Sequence, residues 1–140
     1  MSCELLFAKL KDVNVVLDRT MAHELRNTSV PYSQAGVLAF LAEREDQDTS
    51  NRQIEERFGI SNPTVSGLLK RLAAKELITR SIDSSDRRIV NTRITEAGIA
   101  AVKEADQKLA KVENRIVEGL TDREQSELLR LLNIVQNNLS

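Results

Sequence analysis

Hydrophobic residues recur every three or four positions at both ends of the chain. Between residues 2 and 27 they follow one face of an amphipathic helix, at Leu6, Leu10, Val13, Leu17, Met21 and Leu25. A second long helix is predicted from Thr95, with a seam at Val102, Ala105, Leu109, Val112 and Ile116. Gly119 interrupts that pattern, and a capping box at residues 121–124 predicts one more helix. The sequence therefore predicts long helices at both ends.

Shorter segments with helix-start signals fill the middle of the chain. A helix is predicted to begin near Pro31, because proline is tolerated in a first turn, and its apolar residues are Val37, Leu38, Phe40 and Leu41. Ser50 and Gln53 have the spacing of a capping box, which predicts the start of a short helix. A glycine breaks that helix just before Ser61, and Ser61 is an N-cap candidate with Pro63 in the first turn that follows.

A charged β-hairpin is predicted next. Residues 77–82 and 89–94 have the character of two strands, and residues 83–88, Asp-Ser-Ser-Asp-Arg-Arg, form the polar turn between them. Helix, tight turn, helix and charged hairpin is the order of a winged helix-turn-helix, in which a helix enters a DNA groove and the hairpin follows the adjacent backbone. The predicted fold is mainly α with a small β-hairpin wing.

The domain organisation follows from length and from the width of the apolar stripes. One domain is expected over residues 1–140, with a DNA-binding lobe at residues 30–98. Residues 1–27 and 99–140 carry more apolar surface than so small a lobe can cover, so we expect them to be dimerisation helices of a homodimer. The alternative is a monomeric bundle that buries the same faces internally.

Charge is unevenly distributed along the chain. The net charge of the whole chain is only −1. Between Ser61 and Arg93, however, seven basic residues stand against three acidic ones, a local excess of +4. This distribution is expected of a DNA-facing patch on an otherwise acidic regulator. The alternative interpretation is an ordinary solvated face.

The composition offers no catalytic constellation. With one histidine and one cysteine, the sequence has no candidate triad and no zinc-binding spacing, and it has no phosphate-binding glycine loop. We therefore expect no enzyme, no metal and no cofactor. No apolar run is long enough to cross a membrane and no signal peptide is evident, so a cytoplasmic location is expected. A redox switch centred on Cys3 is a rival hypothesis.

The helix that follows Ser61 has one face for the core and one for DNA. Its apolar residues, Val65, Leu68, Leu69 and Leu72, fall on one side and are expected to pack inward. The opposite side is small and polar, which allows a close approach to a duplex. The DNA-contacting residues expected on it are Ser61, Asn62, Thr64, Ser66, Lys70 and Arg71. Arg71 is the candidate for a guanine contact.

The predicted wing carries its own cations. Arg87 and Arg88 stand at the hairpin tip, where an arginine can enter the strongly negative minor groove. Asp86 would be repelled by phosphate, so its expected role is to orient Arg88 through a fork-shaped ion pair. The alternative is a turn that serves only solubility.

Several segments together resemble the multiple-antibiotic-resistance regulator (MarR) family. They are residues 53–61, 64–66, 68–72, 77–80, 86–88 and 94–98, with Asp86-Arg87-Arg88 in the wing and Thr95-Glu96-Ala97-Gly98 after it. The resemblance implies a homodimer that binds pseudo-palindromic double-stranded DNA, usually as a repressor, with the helix after Ser61 in the major groove. It also implies release by a small phenolic or other anionic effector. The rival is a winged helix that binds another protein and has no DNA operator.

Three positions depart from that family's pattern, and one cluster is an effector candidate. Pro31 stands where the family commonly has a threonine. Glu76 stands where the family commonly has a glycine in the left-handed conformation. We expect glutamate at this position to lower the free energy of unfolding by about 1 kcal/mol relative to glycine. Gly67 stands where a longer polar residue often faces the bases. The family's effector pocket lies between the dimerisation helices and the DNA-binding lobe, and the candidates for it here are His23, Arg26 and Tyr32.

Overall fold

A computed structural model describes the backbone of residues 3–140 and the side chains of residues 5–140. The elements are α1 (Cys3–Glu24), α2 (Tyr32–Glu43), β1 (Thr49–Ser50), α3 (Asn51–Phe58), α4 (Asn62–Ala74), β2 (Ile78–Ile82), β3 (Val90–Ile94), α5 (Glu96–Ile116) and α6 (Asp122–Leu139). The predicted mainly α fold with a small β wing is confirmed. The side chain of Cys3, on which the redox hypothesis depends, lies outside the described residues.

The predicted helix starts are confirmed by their hydrogen bonds. Ser50 caps α3: the Gln53 amide donates to its hydroxyl at 3.3 Å, and the Ser50 amide donates to the Gln53 side chain at 2.9 Å. Ser61 caps α4 and Thr121 caps α6, the latter again with a capping box. Gly59, with φ of 63°, ends α3 in the left-handed region that favours glycine. The turn between α3 and α4 is therefore determined locally.

The core of the lobe lies where α2, α3 and α4 meet. Its buried side chains are Val30, Val37, Leu38, Leu41, Ile54, Val65, Leu68, Leu69, Leu72, Leu77, Ile78, Ile94 and Ala101. Phe40 and Phe58 cover one side of it in an edge-to-face pair with ring centroids 5.9 Å apart. Because the wing strands contribute Ile78 and Ile94 to this core, the base of the wing is fixed to the helix-turn-helix.

The sheet has three strands rather than the two predicted. Its order is β1-β3-β2 and both pairs are antiparallel. Asn91 of the central strand lies opposite Ser50 on one side and Ser81 on the other. The third strand therefore connects the wing to the residue that caps α3.

The transition from wing to α5 is closely packed. The Thr95 amide donates to the Leu77 carbonyl at 3.0 Å, and the Thr95 hydroxyl donates to the Glu76 carbonyl at 2.8 Å. A Cβ on Gly98 would lie 2.2 Å from the Leu77 carbonyl oxygen, which no side chain tolerates. Glu76 has φ of 61°, so the predicted left-handed conformation at this position is confirmed.

Candidate nucleic-acid interface

The exposed face of α4 is polar and small. Val65, Leu68, Leu69 and Leu72 are buried, which confirms the predicted inward face. The side chains of Ser61, Asn62, Thr64, Lys70 and Arg71 are exposed, and residues Ser66 and Gly67 are half-buried. A Cβ added to Gly67 would have no atom within 4 Å, so the backbone of α4 is open to an approaching molecule at this point. Five of the six positions predicted to contact DNA on and before α4 are thus exposed, and Ser66 is half-buried.

A hydrogen-bond network organises the N-terminus of α4. The Asn62 side-chain amide donates to the Glu55 carboxylate at 3.3 Å, and the Ser66 hydroxyl donates to the Asn62 carbonyl oxygen at 3.4 Å. The hydroxyl groups of Ser61 and Thr64 share a hydrogen bond at 2.9 Å. These contacts fix which way the Asn62 amide faces. Glu55 is the member that was not predicted from the sequence, since it lies on the preceding helix.

Several exposed cations of this surface have no acidic partner among the described residues. Lys70 and Arg71 on α4 and Arg87 on the wing form no ion pair there. An unpaired cation gives up no existing ion pair when it binds a phosphate, and it brings the full counterion-release contribution. The charge of this surface is therefore available to an anionic ligand.

Asp86 holds Arg88 in the predicted fork-shaped ion pair. The Arg88 Nε and Nη2 atoms donate to the two carboxylate oxygens at 3.1 Å each, and the Arg88 amide donates to the same carboxylate at 3.0 Å. These bonds to Arg88 lower the pKa of Asp86. The Arg88 side chain is nevertheless 91% exposed. Its guanidinium is therefore oriented by the protein and still accessible to a ligand.

A second carboxylate, that of Asp83, holds the turn at the wing tip through hydrogen bonds. Asp83 accepts hydrogen bonds from the Ser85 hydroxyl, from the Ser85 and Asp86 amides at 3.0 Å each, and from the Asn91 side chain at 2.8 Å. The Ser85 and Asn91 side chains, followed by the two amides, lower the pKa of Asp83 to about 2. Asp83 was predicted from the sequence as a turn residue, whereas the part played by Asn91 was not detected.

The three effector candidates lie at or just after the end of α1 and at the start of α2. Arg26 and His23 contact each other near the end of α1, and both are exposed. The Tyr32 hydroxyl donates to Asp18 at 3.3 Å, and burial, followed by the Asp18 charge, raises the pKa of Tyr32. Tyr32 also lines a cleft of about 120 Å³ between α2 and α5, with Val30, Leu38, Val102, Asp106 and Leu109. His23 and Arg26 lie outside its lining.

No group of three or more histidine, cysteine, aspartate or glutamate side chains able to hold a metal ion occurs among the described residues. Within the same part of the chain, every helix is too short or too polar to span a bilayer.

Sequence comparison matches the central part of the chain to a known family. The family model for the MarR family matches residues 28–89. YwaE of Bacillus subtilis (strain 168), described as an uncharacterized HTH-type transcriptional regulator, is 40% identical over 88 residues. The match covers 63% of this chain and 52% of YwaE, so the chain spans about half the length of that relative.

Solved structures share the whole fold. The S. aureus MepR–DNA complex superposes with a TM-score of 0.84 at 22% identity, covering 100% of this chain and 99% of that one. A mutant of E. coli MarR complexed with operator DNA gives a TM-score of 0.82 at 21% identity, covering 93% of this chain and 92% of the other. The sequence match over the lobe and the shared fold agree. Residues 28–89 therefore match the MarR family in sequence, and the whole chain has the winged helix-turn-helix fold of these structures.

Proposed function

We propose that this protein is a DNA-binding transcriptional regulator, a repressor, that binds pseudo-palindromic operator DNA as a homodimer. The observation that carries the proposal is the arrangement of unpaired cations on two exposed surfaces, α4 and the wing tip. The DNA complexes of MepR and MarR support it by analogy of fold. We infer that α4 enters the major groove and that the wing follows the adjacent minor groove.

The residues proposed to contact DNA divide into two groups. On and before α4 they are Ser61, Asn62, Thr64, Ser66, Lys70 and Arg71, and on the wing they are Arg87 and Arg88, with Asp86 orienting Arg88. Because the exposed face of α4 is small around Gly67, its backbone can approach the duplex closely. Hydroxyl and ammonium groups then contact phosphates, while Asn62 and Arg71 are positioned for base edges.

The homodimer is supported by the two ends of the chain. Apolar side chains stay exposed on α1 and α6, namely Leu6, Phe7, Leu10, Val13, Val15 and Val16, and Leu128, Leu129, Leu131, Leu132, Ile134 and Leu139. No residue of α6 is buried. An apolar surface of this extent marks an interface. A monomeric bundle would bury these faces within one chain, whereas here they stay uncovered.

A groove offers a place for the second copy. It has a volume of about 560 Å³ and runs between α1 and α5. Its apolar lining residues are Val13, Val16, Leu17, Val112 and Ile116, and its polar lining residues are Lys9, Asp12, Thr20, Arg115 and Glu118. We infer that the leucine face of α6 from the partner covers this apolar region in a two-fold arrangement. Such a dimer would present two α4 helices about 34 Å apart, one turn of DNA.

Titration with DNA tests the binding proposal. Duplexes of about 30 base pairs, long enough for two half-sites, would be selected from a random pool and measured by fluorescence anisotropy. If each head neutralises several phosphates, affinity should fall by about 10³-fold between roughly 50 and 200 mM salt. An affinity that is absent at low salt, or indifferent to salt, would overturn the proposal. If the protein bound another protein and not DNA, the protein-interaction alternative would be favoured.

The dimer is tested independently of DNA. Leu132→Glu places a charge on the apolar face of α6 and should convert the protein to a monomer, as measured by analytical ultracentrifugation. Ser126 lies on the opposite face of the same helix, so Ser126→Glu adds the same charge and should leave the dimer intact. A wild-type monomer, or a dimer unaffected by Leu132→Glu, would contradict the proposed interface.

The cleft at Tyr32 supports a phenolic effector over an anionic one. Its lining is apolar apart from Tyr32 and Asp106, and its volume of about 120 Å³ suits one aromatic ring. A phenol could donate to the Asp106 carboxylate, which would repel a carboxylate ligand. We therefore expect phenol, but not benzoate, to raise the midpoint of thermal unfolding and weaken DNA binding. The opposite order would assign the effector to the cations His23 and Arg26.

A further inference from the structure

Asn91 is a buried polar residue at the centre of the wing sheet. It is only 8% exposed, and in β3 it lies opposite Ser50 of β1 and Ser81 of β2. Its side-chain amide donates to the Asp83 Oδ1 atom at 2.8 Å. Because a buried amide without a hydrogen-bond partner is unfavourable, other orientations of the Asn91 side chain are disfavoured. The bond to Asp83 therefore holds this side chain toward the wing tip.

Asp83 divides its two oxygens between the sheet and the tip. The Oδ1 atom receives Asn91, whereas Oδ2 receives the amides of Ser85 and Asp86 at 3.0 Å each. The backbone closes the same turn, because the Asp83 amide donates to the Ile89 carbonyl at 2.9 Å. The tip is therefore attached to the central strand by a side-chain bridge as well as by the hairpin backbone.

The bridge continues to the wing arginine. Asp83 holds the amide of Asp86, and the Asp86 carboxylate holds Arg88 at two points. We propose that Asn91 and Asp83 are positioning residues that set the direction in which the wing presents Arg88 to DNA. This inference rests on the proposed DNA-binding function. A wing that is already ordered loses less conformational entropy when it enters a groove, and it therefore binds DNA more tightly.

The first test is Asn91→Leu, which keeps the side-chain size and removes the donor. Affinity for the selected duplex should fall by about five- to tenfold, and the slope of log affinity against log salt should become shallower by about one. Thr79→Val is the matched control, because residue 79 lies on the same face of the wing sheet and forms no hydrogen bond with Asp83. It should leave both quantities unchanged.

A double-mutant cycle separates positioning from general stability. If Asn91 acts through Arg88, Asn91→Leu should have no further effect on affinity in an Arg88→Ala background. In a Lys70→Ala background its effect should be undiminished, because Lys70 belongs to α4 and not to the wing. A merely structural role would weaken binding equally in both backgrounds.

Exchanging the two side chains keeps the inference testable if Asn91→Leu does not fold. In the double variant Asp83→Asn with Asn91→Asp, the new side-chain amide at position 83 could still accept from the two tip amides through its carbonyl oxygen. Its NH₂ group could donate to the new carboxylate at position 91, so the exchange preserves both the bridge and the net charge. Asn91→Asp alone places two carboxylates together and should bind DNA weakly. The double variant should recover most of the lost affinity.

Amide hydrogen exchange measures the bridge without DNA. The Ser85 and Asp86 amides should exchange several-fold faster in Asn91→Leu than in wild type, since their acceptor is no longer held. Unchanged exchange, or wild-type affinity for DNA in Asn91→Leu, would overturn the inference while leaving the DNA-binding proposal intact. A wild-type protein that bound no duplex would instead defeat the DNA-binding proposal, and with it the inference.

Discussion

The Asp86 carboxylate and the Arg88 guanidinium form a two-point ion pair at the tip of the wing, with both N–O distances at 3.1 Å. The two residues are only two positions apart, so the pair adds little to the packing of the fold. An exposed pair of this kind contributes little to stability. Its consequence is geometric, because it fixes the plane of the guanidinium and leaves the outer N–H groups accessible to a ligand.

For the removal of Asp86, the orientation of Arg88 predicts the opposite change in DNA affinity from the one that charge alone predicts. Removing the negative charge of Asp86 should strengthen attraction to phosphate if only charge matters. We expect instead that Asp86→Ala weakens DNA binding by about 1 kcal/mol, because Arg88 loses its orientation, and that Arg88→Ala costs about 1–3 kcal/mol. Anisotropy titrations at fixed salt measure both. Tighter binding by Asp86→Ala would show that orientation contributes nothing.

Gly98 is required by its contact with the Leu77 carbonyl. A Cβ at residue 98 would lie 2.2 Å from that backbone oxygen, which cannot move without disturbing the wing. Gly98→Ala should therefore lower the free energy of unfolding by about 2–3 kcal/mol. Gly67→Ala is the matched control: its Cβ meets nothing within 4 Å, and α4 should gain about 0.5–1 kcal/mol. Urea denaturation distinguishes these opposite signs, and equal effects would contradict the packing argument.

Glu76 occupies a left-handed conformation that glycine adopts without strain. With φ of 61°, Glu76→Gly should raise the free energy of unfolding by about 1 kcal/mol. The same substitution at Ala74, inside the last turn of α4, should lower it by about 1 kcal/mol. Denaturant midpoints of the two variants provide the comparison. Destabilisation by both would mean that the Glu76 side chain compensates for its backbone strain.

Local signals account for what the sequence predicted well. The helix starts at Ser50 and Thr121 were predicted because a cap and its partner lie three residues apart, and the start at Ser61 because a capping residue precedes a proline in the first turn. The Asp86–Arg88 pair is equally local. In contrast, β1 has only two residues, Thr49–Ser50, and no hydrophobic period can appear in so short a segment. Its existence depends on the position of β3, which tertiary structure determines.

Contacts between separate elements account for what the sequence missed. Glu55 reaches Asn62 across the turn between two helices, and Asn91 reaches Asp83 across the hairpin. Neither pairing follows from a single helical or strand period. Tyr32 lines a cleft between α2 and α5 whose lining does not include His23 or Arg26, so a common effector site for the three residues stays a prediction.

The depressed pKa of Asp83 predicts how stability depends on pH. Its hydrogen bonds hold the pKa at about 2 in the folded protein, whereas an unfolded aspartate titrates at about 3.9. The folded state thus favours the charged form, and this contribution is complete above about pH 4 and disappears as the pH falls toward about 2. Asp83→Asn cannot titrate, so its stability should decline less steeply than that of wild type over this range. Denaturation curves recorded between about pH 5 and pH 2 compare the two slopes. Glu124 and Glu127 titrate in both proteins, so the difference reports Asp83 together with the smaller change at Asp86, whose pKa the Asp83 charge raises. Parallel slopes would mean that the hydrogen bonds around Asp83 do not favour its charged form in solution.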